Sequence, residues 1–210
     1  MVLSGSYEDA VGLTPVVWTI GPFERSGWEG RFEVNATIRG VQVSGAGFNS
    51  LEPEEPADDL SLNQAGELDH CTLTVDVPAR ITGAVSTGTI ATIVLRLGAG
   101  MDEPVTRVTL TVDGIEYEHE QEEVFEVVLG AVVAQMQPRT WQCCLTCLLS
   151  DYSPGGQDFM GMRCHRGARE AYLAARTKWE YWAVPVTEEV PEFYRCPSYE
   201  TRVPGTGYRG

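Results

Sequence analysis

Phe32, Val34, Ala36 and Ile38 alternate with Glu33, Asn35, Thr37 and Arg39. That period of two predicts a strand with one face in a core and the other in water. Residues 16–20 (VVWTI) form a β-branched run closed by Gly21-Pro22, and a short run at 41–44 follows Gly40. Cys71, Leu73, Val75 and Val77 share a face, and residues 89–97 and 105–112 read as further strands. Asp113-Gly114 then leads into Ile115-Glu116-Tyr117, a two-residue hairpin signal because a type I′ turn needs positive φ at both central positions. Segment 49–67, acidic and proline-bearing, predicts an exposed loop. Six or seven short strands separated by turn residues predict an antiparallel β-sandwich over residues 1–120.

After residue 120 the period changes. Phe125, Val128, Leu129, Val132 and Val133 recur at helical spacing, with Glu120, Glu122 and Glu123 near the N-terminal end and Pro138 beyond the C-terminal end. Residues 121–137 are therefore read as a linking helix, with Gly130 weakening its middle. A second helix is expected over residues 167–178, with Ala168, Ala171, Tyr172 and Ala175 on one face. The expected fold class is α+β, mainly β: an N-terminal antiparallel β-sandwich, the helix, and a small zinc-stapled α+β module at 138–210.

Charge divides the chain at the same place. Residues 1–130 carry 6 Arg and no Lys against 22 acids, a net of −16, whereas residues 131–210 carry 8 Arg and 1 Lys against 8 acids, a net of +1. A total of −15 opposes nucleic acid and anionic membrane as partners. No basic n-region precedes an apolar run near the start, and the longest apolar stretch, 124–136, is too short to span a bilayer and contains Glu126. The expectation is a cytoplasmic protein without a membrane segment, whose six cysteines are reduced or metal-bound rather than paired.

The cysteines carry the candidate chemistry. Cys144 and Cys147 form a C-x-x-C pair, Cys164 follows after 16 intervening residues, and Cys196 after 31 more. Four thiols so spaced predict one tetrahedral site, zinc first, with iron or an iron–sulfur cluster as the alternative. Four sulfur ligands close a site, so its expected role is structural. The competing readings are buried free cysteines, and an open metal position near Cys164 and His165 in a metal-dependent enzyme or small-molecule binder. Cys143, beside the pair, is expected to face away from the ion, with a place as an alternative ligand or as a group that supports the ligands kept open. His165 is an alternative ligand, and Asp151 a group that bonds to the ligands from behind. Cys71 reads as core.

The text from Cys144 onward resembles an uncharacterised bacterial family, frequent in actinobacteria, whose members end in a cysteine-rich module. The residues that carry the resemblance are Cys144-x-x-Cys147-x-x-Ser150-Asp151-Tyr152-x-Pro154-Gly155, then Gly161-Met162-Arg163-Cys164-His165-Arg166, Tyr194-Arg195-Cys196-Pro197, and the close Gly205-Thr206-Gly207-Tyr208-Arg209-Gly210. His165 stands where that family tends to have Phe. The resemblance implies the site and the architecture; it implies no reaction.

Arg163, Arg166, Arg195, Arg202 and Arg209 form a candidate patch for an anion or a partner's carboxylates. The tail, with Tyr199, Tyr208 and two arginines, is expected to dock. No Ser–His–Asp set, P-loop, nucleotide fingerprint or H-E-x-x-H motif occurs. The function expected is that of a non-catalytic immunity- or accessory-like protein that binds another protein with a basic surface.

Overall fold

The computed structural model describes residues 1–22, 31–83, 86–100, 104–153, 161–206 and 208. The strands are β1 Val2–Asp9, β2 Gly12–Pro22, β3 Phe32–Ile38, β4 Val41–Gly45, β5 Glu52–Pro53, β6 Thr72–Thr82, β7 Thr87–Arg96, β8 Val105–Val112 and β9 Ile115–Glu122. Helix α1, Phe125–Gln135, and a short strand β10, Thr140–Trp141, follow. The C-terminal part adds β11 Ser150–Asp151, β12 Met162–Cys164, α2 Arg169–Ala174, α3 Lys178–Trp182 and β13 Glu188–Val190.

The expected mainly-β fold is present as one large antiparallel sheet. Its strands pair in the order β5-β4-β3-β2-β1-β6-β7-β8-β9, with β10 added to β6. That pairing is continuous and does not divide the strands into the two sheets of the expected sandwich. The alternation does its predicted work. Phe32, Val34, Ala36 and Ile38 are buried on β3, as are Leu73, Val75, Val77, Ala79 and Ile81 on β6 and Ala91, Ile93 and Leu95 on β7. Asp113, at φ 52°, and Gly114, at φ 79°, make the predicted turn between β8 and β9.

Strand β1 is absent from the sequence-based expectation because Ser4, Gly5 and Ser6 interrupt its apolar rhythm. It is nonetheless central, paired with β2 along eight positions and with β6 from Ser4 to Glu8. Gly5 has a steric reason. The fully buried Trp18 donates its indole N–H to the Thr74 carbonyl on β6 at 2.9 Å. A Cβ on Gly5 would stand 1.9 Å from that carbonyl oxygen and 2.5 Å from the indole nitrogen.

Segment 49–67 also departs from expectation. Leu51 and Leu60 are buried, β5 pairs with β4, and Leu68 N–H donates to the Leu51 carbonyl at 2.8 Å. The leucines pin the segment to the core while its acids face water. Arg39, at φ 51° in the turn after β3, closes the same end of the sheet. Its guanidinium grips Asp9 with both nitrogens at 2.9 and 2.7 Å and also donates to the carbonyls of Gly12 and Asp59. Tyr7 lies beneath it, 5.1 Å from ring centroid to guanidinium, and donates to Asp9 at 2.8 Å. This double charge-assisted bond holds the Asp9 carboxyl far below the usual carboxylate range.

Helix α1 begins four residues later than the expected start at 121 and buries Phe125, Val128, Leu129 and Val132. The second predicted helix is broken in two. Arg176 donates to the carbonyls of Leu173 and Ala175, and Thr177 starts α3 with a capping box closed by Glu180.

Two substitutions test this packing. Gly5→Ala is expected to lower unfolding free energy by roughly 2–4 kcal/mol, because the added methyl displaces either the Trp18 bond or β1 itself. Gly130→Ala, at a helical position where a Cβ meets nothing within 4 Å, is expected to raise it by about 0.5–1 kcal/mol. Denaturant titration of both variants reads the two opposite signs.

Candidate metal centre

The backbone gathers the predicted cysteines before any side chain is considered. After β10 the chain makes a 3-10 turn over Cys144–Thr146, closed by Cys147 N–H on the Cys144 carbonyl at 3.1 Å. The segment around Cys196 is strapped along this turn. Cys144 N–H donates to Tyr194, Leu145 N–H to Glu192, Leu148 N–H to Glu200 and Arg202 N–H to Thr146, at 2.7–3.0 Å. Cys147 bridges Thr201. Strand β12 sets Cys164 opposite Ser150, and β13 closes the three-stranded sheet on the other side of β12. Residues far apart in sequence therefore converge through ordinary strand pairing.

All four thiols are buried. Burial first, and then the charges of Cys143, Cys147 and Cys164, push the Cys144 thiol well above its ordinary range. Cys196 is raised by burial and by Cys164 and Cys147. Each of the four thus has two others as electrostatic neighbours. Among the described residues, however, no three His, Cys, Asp or Glu side chains stand at metal-holding spacing. The donor chemistry fits a thiophilic divalent cation; the sulfurs share a neighbourhood without converging on a point. Arg166 Nη1 donates to Cys164 Sγ at 3.3 Å and also pairs with Glu188, so a cation already faces one sulfur.

His165 is fully buried. Its Nδ1 donates to the Pro185 carbonyl at 3.0 Å and its Nε2 stands 2.9 Å from the Tyr181 hydroxyl. The ring stacks on Tyr172 and meets Tyr181 edge-on, both at 5.0 Å. Both ring nitrogens thus face protein oxygens, and the Tyr181 hydroxyl itself donates to the Tyr152 carbonyl at 3.0 Å. Asp151 accepts from Tyr152 N–H at 2.8 Å and from the Tyr172 hydroxyl at 3.3 Å. Cys143 is fully buried, and its thiol is pushed up to about 12, chiefly by burial. Cys71 lies in the sheet core and is likewise raised to about 12.

Two arginines of the expected patch pair with carboxylates and two others bond neutral oxygens. Arg163 pairs with Glu189 at 3.5 Å, Arg166 with Glu188, and Arg195 donates to Gln142 at 3.3 Å. Arg202 donates to the Ser150 carbonyl, and Arg209 lies outside the described residues. The tail does dock: Tyr208 stacks on Tyr181 at 4.6 Å and Tyr199 packs against the same small core. Between the sheet and β13 lies a cleft of about 390 Å³, floored by Ile20, Phe32 and Val190. Arg31 and Glu189 at its mouth are within 3.6 Å of each other.

A family model described as a family of unknown function, DUF6304, matches residues 1–150. The chain belongs to the DUF6304 family. That match covers the sheet, α1 and the C-x-x-C turn, and stops before Cys164. No curated protein matches the chain, and no solved structure does.

The DUF6304 match ends short of a group that sequence reasoning missed. Glu192 is 1% exposed in the main core. Tyr152 donates to its Oε1 at 2.9 Å, while Oε2 has no hydrogen-bond partner among the described residues. Burial pushes its carboxyl up to about 8. The one signal in the sequence was its flanking by Val190, Pro191 and Phe193. A group raised from the ordinary 4.5 contributes stability fully below that pH, and the contribution is lost as pH rises through about 8. Glu192→Gln is expected to flatten this slope and to gain on wild type by about 2–4 kcal/mol near pH 9. Melting temperature measured from pH 5 to 9 on both proteins checks it.

Proposed function

We propose that this chain is a non-catalytic binding protein, immunity- or accessory-like, that recognises a protein with a basic surface. Its C-terminal cysteines would hold a structural zinc ion. The observation that carries the first part is β9. Glu116, Glu118, Glu120 and Glu122 alternate along this outermost strand and are exposed. Arg96 and Arg107 lie against Glu120 at 2.7 and 3.8 Å, and Thr109 donates to Glu118 at 3.0 Å. An acidic face on a chain of net −15 accelerates encounter with a basic partner and penalises acidic competitors.

What supports the zinc reading is the strapped arrangement of Cys144, Cys147, Cys164 and Cys196. Four thiolates on a divalent ion would lower the cost of burying those sulfurs and fasten residues 138–210 to the rest. The ion's part is structural, through charge and tetrahedral ligation. The reading includes the division at 1–120, 121–137 and 138–210 and a cytoplasmic location, where thiols stay reduced.

Protein purified without added metal is expected to carry one zinc per chain by elemental analysis. Cys164→Ser and Cys196→Ser should each lose it, and a chelator should lower the melting temperature of wild type by 10 °C or more, an estimate scaled down from the roughly 10–16 kcal/mol of small zinc peptides. Metal-free protein that melts unchanged would remove the zinc. For the binding role, association with a basic protein should weaken steeply between low and physiological salt.

A further inference from the structure

Trp18 and Trp141 are fully buried, but Trp179 is 78% and Trp182 47% exposed on α3. The fold gives these two side chains a firm mounting and no cover. Thr177 and Glu180 cap the helix, and Tyr181, 1% exposed, points inward between His165 and Tyr208. With Tyr181 as the inward anchor, the indoles three residues apart emerge on the solvent side. They stack on each other at 6.1 Å with their planes 21° apart. Neither indole N–H donates a hydrogen bond among the described residues.

One intramolecular contact indicates what such rings attract. The Lys178 ammonium lies 5.5 Å from the centroid of Trp182, a cation over the negative face of the ring. Trp179 has no cation over it among the described residues. Large rigid aromatics left in water on a fixed helix are the side chains that dominate protein interfaces, and arginine is the partner that stacks on them best. The charge of −15 draws cationic surfaces towards this chain and opposes an anionic bilayer.

We infer that Trp179 and Trp182 form the anchoring point at which arginine side chains of the partner protein dock. The inference rests on the reading of a basic partner given above and adds the place of contact. Acidic strand β9 supplies attraction at a distance, and the indole pair supplies the short-range contact that slows dissociation.

The test uses the full chain, a short arginine-bearing peptide and the same peptide with every Arg replaced by Gln, followed by calorimetry and tryptophan fluorescence. The arginine peptide is expected to bind, to quench or shift the exposed indoles, and to bind about tenfold more weakly to Trp179→Ala and to Trp182→Ala. Both variants should melt as wild type does, since neither side chain is in a core. Equal binding of the glutamine peptide overturns the inference. Binding of the arginine peptide that is unchanged in both variants also overturns it while leaving the basic-partner reading intact. No binding of either peptide, at low salt as well, overturns both. Trp-dependent binding to phosphatidylserine vesicles, or a dimer abolished by Trp179→Ala, would assign the surface to a membrane or to a second copy instead.

Discussion

A sheet that buries one face must have that face covered, and this requirement connects the two parts of the chain. The inner residues of β1 to β4 and β6 to β8 share one apolar cluster with α1 and with Cys143, Cys144, Tyr152, Met162, Val190 and Phe193. Phe125 of α1 meets Phe193 edge-on at 6.2 Å. The C-terminal segment is therefore part of the main core, and β10 even extends the sheet into it. A second, smaller cluster gathers Cys147, Leu148, Leu149, Tyr172, Tyr181 and Val184. Cys144 belongs to one cluster and Cys147 to the other. The C-x-x-C turn thus lies on the seam between the main core and the smaller one.

The polar contacts differ greatly in weight. Arg169–Glu200 is a close pair, but both side chains are almost half exposed, so solvent and salt reduce it to a fraction of 1 kcal/mol. Asp9–Arg39 is shielded, with side chains 4% and 16% exposed, and it is bidentate. Removing either partner strands a charge and costs on the order of 2–3 kcal/mol. This pair also ties two hairpin turns to the segment carrying Asp59, so it acts on topology as well as energy. Glu192 acts in the opposite direction. Its buried carboxyl is tolerated while protonated and opposes the same core when ionised.

Much of the sheet was legible because alternation is a local signal. Phe32 to Ile38 and Cys71 to Val77 bury the positions that their sequence marks, and Asp113-Gly114 turns where its conformational freedom allows. Strand β1 was not legible, since its place depends on Trp18 crossing Gly5 to reach Thr74, a contact between residues 56 apart. Segment 49–67 misled for the reverse reason: its acids dominate its composition, while Leu51 and Leu60 decide its position. The cysteines could be grouped by type and spacing. The contacts of His165 and the arginines could not be read, because Pro185, Tyr181, Glu188 and Glu189 are connected to them by no spacing rule.

The carboxylates of β9 have two physical explanations that operate together. An outermost strand invites pairing with other chains, and a row of like charges discourages it. Helix α1 contributes to the same protection, since Gln135 donates to the Glu118 carbonyl at 3.0 Å. Edge protection alone accounts for charge of either sign, and lysine would serve as well. It does not account for residues 1–130 having no lysine and a net of −16, nor for two tryptophans held in water on a capped helix. The charge and the indoles are independent features of the sequence, and neither is needed by the core. The basic partner proposed above would account for both, because it would need attraction at long range and an aromatic surface on contact.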